Sequence, residues 1–185
     1  KIDHGVDLEV DKTYRYCVLS NRKKNYLGVT MDGKVDVKGL TGKKSHTPGF
    51  IKKLFFELVD VLSKVQTMDD FVFAKKEISE KIAICGKKVE AKEIPLEDLA
   101  FNVMLSKAPS EYVKTIPQHI RAAKQLESIR EIKRGDRIAY IKTLNKPGVK
   151  PVELAKKEEI DSKKYMEFME STLEQITSSR DLDFD

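Results

Sequence analysis

The sequence has no run of 18 apolar residues, so no segment reads as a membrane-spanning helix. It opens on the polar stretch KIDHGVDLEV, which is no secretory leader. Both absences lead to the expectation of a cytoplasmic protein with no membrane partner. The chain also begins without Met, and the gene product is expected to start further upstream. Cysteine is scarce. Cys17 and Cys85 stand alone, far short of the four grouped ligands of a zinc site, and read as ordinary buried thiols of a reducing compartment. His4, His46 and His119 have no Cys or carboxylate grouping that points to a metal. No G-x-S-x-G, P-loop, H-E-x-x-H or Cys/His nucleophile arrangement is present, so nothing supports a small hydrolase. Repeats and low-complexity tracts are missing too.

What is present is charge. Of 185 residues, 40% are hydrophobic and 35% charged, enough for one core with a richly ionic surface. The high Lys and Glu content is of the kind found in thermophiles. The net charge of +5 is modest, but it is unevenly spread. Ser20–Lys53 carries nine basic against two acidic residues, and Lys107–Lys150 eleven against four. The stretch between them and the C-terminal stretch are acidic, with ten acidic residues each against seven and five basic ones. Two basic blocks separated by an acidic one suit a bipartite polyanion surface. A set of solvated lysine faces is the alternative reading.

The first 44 residues alternate apolar and polar positions as strands do. Tyr14, Tyr16 and Val18 share one side, and Asp32-Gly33 sits between strand-like runs as a hairpin turn. These strands are too few for a core of their own, and look like part of a sheet whose other strands lie elsewhere. At Thr47-Pro48 the character changes, with Thr as a helix cap and Pro in the first turn. Ile51, Leu54, Phe55, Leu58, Val59, Leu62 and Val65 then recur at helical spacing. Further helices are expected at Met68–Ile84, Pro95–Leu105, Pro117–Leu126 and Asp161–Thr177, a strand at Asp136–Leu144, and a turn at Lys146-Pro147-Gly148. Strands followed by helices with one strand interruption make an α+β fold.

The segment SNRKKNYLGVTMDGKVDVKGLTGKKSHTP resembles the post-catalytic palm segment of family B DNA polymerases. There a K-K-x-Y motif opens a hairpin, and K-G-L followed by a basic pair lies on the next strand. Lys23, Lys24 and Tyr26 match the first motif; Lys38, Gly39 and Leu40 match the second; Lys43 and Lys44 supply the pair. Downstream, LEDLAFNVMLSK, IPQHIRAAKQL, GDRIAYIKTL and AKKEEIDSKKYMEFMESTLEQI are similar, in order, to the thumb's first helices, its His-containing basic helix, its late strand and its closing helix. EVDKTY, KKNY, KVDVKG and TPGFIKK are closest to the crenarchaeal-like branch.

The resemblance implies a partial antiparallel palm sheet in residues 1–46 and a mainly helical thumb in residues 47–185. It implies Mg²⁺ in the complete enzyme, but the Y-G-D-T-D-S carboxylate motif is absent here, so no catalytic or metal-binding residue is assigned to this chain. Its partners would be primer–template DNA, a large catalytic polymerase polypeptide, and a sliding clamp reached through regions outside this chain. The DNA contacts carried over are Lys23, Lys24, Tyr26, Lys38, Lys43 and Lys44 in the palm, and Lys107, His119, Arg121 and Lys124 in the thumb, with Lys114 close by. Lysines suit phosphate or the shallow minor groove. Tyr26 would hold the hairpin or touch the backbone through its hydroxyl, unless it is only a half-buried strand aromatic. His119 reads equally as a core or capping histidine. The family often has Arg where Ser45 stands, which puts one phosphate contact in question. Asp181, Asp183 and Asp185 alternate at the chain end and are given no metal role. The expectation is a DNA-gripping polymerase segment, as a fragment or the small subunit of a split enzyme, inactive alone. A non-catalytic nucleic-acid-binding module, of polymerase ancestry or of unrelated origin, is the alternative.

Overall fold

The computed structural model of the chain describes residues 9–19, 26–39 and 46–177. Strands β1 (Tyr14–Leu19), β2 (Tyr26–Thr30) and β3 (Val35–Lys38) form an antiparallel sheet in that order. The β2–β3 hairpin turns at the expected Asp32-Gly33: the Thr30 N–H donates to the Lys34 carbonyl at 2.9 Å, and Gly33 takes φ +83°, a left-handed conformation that glycine adopts without steric cost.

One residue pattern departs from the simple alternation. The β1–β2 register slips between Tyr14 and Tyr16. A bulge puts one extra residue on its strand and reorients the side chains before it. Tyr14 and Tyr16 therefore face opposite ways, not the same side. The Tyr16 hydroxyl donates inward to the Leu62 carbonyl, while the Tyr14 hydroxyl reaches Asp36 on the other face.

The inner face of this sheet is closed by helices of the same chain. Leu27 and Val29 are fully buried in the core that also holds Phe50, Ile51, Leu54 and Leu58. Helix α1 (Gly49–Ser63) supplies those residues at the predicted spacing. Its N-cap position is Pro48, without a side-chain cap bond, so Thr47 is not the cap; it lies buried one residue earlier. Helix α2 (Met68–Glu90) packs on α1 and runs beyond the expected Ile84, through Gly86. A methyl group at Gly86 would lie 3.1 Å from Met166 Cε, so the bare backbone gives a neighbouring helix room to approach. Thr67 begins α2 with a capping box: its hydroxyl accepts from the Asp70 N–H at 3.1 Å, and Asp70 accepts from the Thr67 N–H at 3.2 Å. Thr67→Ala is expected to cost about 1 kcal/mol in denaturant unfolding, the usual worth of an N-cap hydroxyl.

The segment expected as one helix, Pro95–Leu105, divides. Only α3 (Leu96–Leu99) is helical, and Phe101–Met104 is strand β4. Phe101, Val103 and Leu105 alternate, and a partner strand captures that period. β4 pairs antiparallel with β5 (Arg137–Lys142), which pairs with β6 (Val149–Pro151). The second half is thus built on its own three-stranded sheet, where the sequence had shown one strand. Helix α4 (Gln118–Leu126) packs on β5 and β6, and Gln125 Nε2 donates to the Val149 carbonyl at 2.9 Å. A half-buried Lys150–Glu159 ion pair fastens β6 to the segment before α5 (Ser162–Thr177).

Tyr165 of α5 is the hub of this half. It is completely buried; its hydroxyl donates to the Leu99 carbonyl at 2.8 Å and accepts from the Lys142 N–H at 3.0 Å. Its ring stacks on Phe101, which stacks in turn on its cross-strand partner Tyr140. Helix, loop and sheet meet on one side chain. Cys17 and Cys85 are free thiols, and burial pushes both above the ordinary thiol range.

Candidate nucleic-acid interface

The hairpin register sets the first group of candidate residues. Tyr26 and Lys38 are direct cross-strand partners, so the β2–β3 pairing brings together two residues twelve positions apart. Leu27 and Val29 point inward, so Tyr26 and Lys38 lie on the outer face. Tyr26 is half-buried there, its ring 5.9 Å from that of Tyr14 in an edge-to-face arrangement. Its hydroxyl is 3.3 Å from the Tyr14 hydroxyl, which donates to Asp36 Oδ2 at 2.6 Å. The hydrogen bonds to Asp36 and Tyr26 raise the Tyr14 pKa far above the ordinary phenol value, so this hydroxyl keeps its proton. Lys12 Nζ closes the cluster 2.8 Å from Asp36 Oδ2. Lys23, Lys24, Lys43 and Lys44 lie outside the described residues.

A second group belongs to the other sheet and its helix. On α4, Ile120, Ala122, Ala123 and Leu126 are buried, which turns Arg121 and Lys124 together to solvent on the opposite face. His119 sits half-buried beside the inner face. Burial lowers its pKa, so at neutral pH it is an uncharged imidazole that adds no cation to this surface. Lys107 and Lys114 are exposed in the segment between β4 and α4.

Pairing of β4 with β5 adds residues that the sequence did not single out. Met104 faces Arg137, and Leu105 exchanges backbone hydrogen bonds of 2.8 Å with Asp136 and Gly135. Lys107 follows the end of β4, while Lys133, Arg134 and Arg137 lie at the start of β5; all four are exposed. The one available signal was the high basic count of the block from Lys107 to Lys150.

Apart from Lys133, these cations are not consumed internally. Ion pairs engage other lysines: Lys12, Lys34, Lys53, Lys64, Lys81, Lys150 and, loosely, Lys133. Among the described residues Lys38, Lys107, Lys114, Arg121, Lys124, Arg134 and Arg137 form no ion pair. Cations held apart from carboxylates on an exposed surface are suited to an external polyanion. A divalent metal finds no such provision. No group of three or more His, Cys, Asp or Glu able to hold one occurs among the described residues, and Asp181, Asp183 and Asp185 lie outside them. No described helix is long and apolar enough to cross a membrane.

Comparison with known proteins identifies relatives over nearly the whole chain. The chain is 45% identical over 178 residues to DNA polymerase 1 of Saccharolobus solfataricus, covering 95% of this chain and 20% of that protein. It is 40% identical over 183 residues to DNA polymerase 1 of Aeropyrum pernix, covering 98% of this chain and 19% of that protein. The chain thus spans about a fifth of the length of the curated relatives it matches. The fold is similar to that of the family B DNA polymerase from Pyrobaculum calidifontis, with a TM-score of 0.71 at 20% identity over 99% of this chain and 24% of that one. The family model for DNA polymerase family B matches residues 1–179, and with that span covered the chain belongs to DNA polymerase family B.

Proposed function

We propose that this chain is the duplex-gripping portion of a template-directed DNA polymerase, with residues 1–46 the end of the palm and residues 47–185 the thumb. The observation that carries this reading is the pair of exposed cationic groups left without internal ion pairs: Lys38 beside Tyr26, and Arg121 with Lys124 together with the basic β4–β5 end. Lysine and arginine heads meet phosphate oxygens whatever the base sequence, which is what a polymerase translocating along any template requires. Holding the duplex fixes the primer end in line for attack, so the chain contributes positioning. No group of three or more His, Cys, Asp or Glu among the described residues is arranged to hold the metal that polymerase chemistry uses, and the reading places its ligands in the rest of the enzyme. Primer–template DNA and a large catalytic polypeptide are then the partners, and a clamp would act through other regions.

Primer extension tests this directly. The chain alone is expected to incorporate no nucleotide. Added to the remaining polymerase polypeptide it is expected to stimulate extension, and Lys23→Ala with Lys24→Ala to weaken the stimulation. Robust synthesis by the chain alone, or no stimulation from the folded chain, would overturn the proposal.

A further inference from the structure

The outer face of the first sheet holds a carboxylate where a DNA-facing surface would least be expected to have one. Asp36 sits on β3 two residues before Lys38, on the same face. Its Oδ2 receives the Tyr14 hydroxyl at 2.6 Å and the Lys12 ammonium at 2.8 Å. The first distance is that of a charge-assisted O–H···O⁻ bond. The Tyr14 ring also has a shelf. It lies so closely over Gly28 that a methyl group there would be 2.5 Å from Tyr14 Cδ1. Gly28 is the cross-strand partner of Asp36, so shelf and anchor come from paired residues. Tyr14 is thus held at its ring by Gly28 and at its hydroxyl by Asp36. Tyr26 leans edge-on against it, opposite Lys38.

We propose that Asp36 is a positioning residue: through Tyr14 it fixes Tyr26 beside Lys38 in the orientation that meets the DNA backbone, and Lys12 offsets its charge. A carboxylate only accepts, so the Tyr14 proton is committed to Asp36 and a Tyr14 lone pair is left towards Tyr26. The Tyr26 proton then has only a long bond of 3.3 Å to give up when a phosphate oxygen arrives. The inference rests on the reading that this face meets duplex DNA.

Charge alone and positioning predict opposite signs. Removing a negative charge from a phosphate-facing surface should tighten binding. Positioning predicts that Asp36→Ala weakens duplex affinity about fivefold, the worth of one ordinary hydrogen bond. Asp36→Asn keeps an acceptor for the Tyr14 hydroxyl and should restore affinity to at least that of the unchanged chain. Tyr14→Phe, which keeps the ring on its shelf and the Asp36 charge in place, should weaken binding at least as much as Asp36→Ala and guards against a folding defect. The decisive measurement is a double-mutant cycle by fluorescence anisotropy on a labelled duplex. Asp36→Ala added to Tyr26→Phe should cost nothing further, since its effect passes through Tyr26. Tighter binding by Asp36→Ala, or losses that add, would overturn the inference while leaving duplex binding in place. Absence of duplex binding by the unchanged chain would instead overturn the proposed function on which it rests.

Discussion

Tyr165→Phe is expected to lower the free energy of unfolding by about 2–4 kcal/mol, although it removes a single oxygen atom. The ring contacts with Phe101 and Phe50 survive the change. What is lost is a hydroxyl in a fully buried site, and with it a partner of both the Leu99 carbonyl and the Lys142 N–H. Each backbone group left unsatisfied away from water costs about 1–3 kcal/mol, more than the net worth of the bond itself. Urea unfolding followed by circular dichroism measures it. Tyr140→Phe is the control: Tyr140 is also buried, but no hydrogen bond is found for its hydroxyl among the described residues. A loss of less than about 0.5 kcal/mol for Tyr165→Phe would show that the two groups find other partners.

The largest effect on binding should come from α4. Arg121→Ala combined with Lys124→Ala is expected to weaken duplex affinity about 50- to 100-fold near 0.1 M salt. Two phosphate contacts release roughly two counterions, so the slope of log affinity against log salt should shrink by about two. The substitutions lie on the exposed face of the helix and leave Ile120, Ala122, Ala123 and Leu126 untouched, so stability should hold. Lys53→Ala, which removes a lysine already paired with Asp98 at 2.9 Å, should leave the slope nearly unchanged. An unchanged slope in the α4 double variant would show that this face does not meet phosphate.

How far the sequence led depended on the range of the information each feature needs. Helices α1, α4 and α5 declare themselves through local periodicity, and the β2–β3 hairpin through Asp32-Gly33. The Tyr26–Lys38 pairing follows from that turn by counting residues outwards. β4 was harder, because LEDLAFNVML fits either period over so short a run, and the choice is made by β5, more than thirty residues later. The placement of the β4 end beside the basic start of β5 depends on the same distant pairing. The Tyr14–Asp36 contact is harder still. Strict alternation puts Tyr14 beside Tyr16, and only the slip in register sends it to the outer face. Both candidate sites are legible in composition, as basic blocks, but their geometry is set by contacts that no local pattern encodes.

The bond from Tyr165 to Leu99 also has a meaning in time. The two residues lie 66 positions apart, and the later one sits in the last described helix. At a synthesis rate of roughly 5–20 residues per second, the ribosome adds Tyr165 about 3–13 s after Leu99. During that interval β4 has a partner only once β5 is made, and Phe101 lacks the Tyr165 ring that stacks on it. The second sheet is therefore a nascent structure that waits for α5, and a message truncated before α5 would release a chain with its aromatic core open to water.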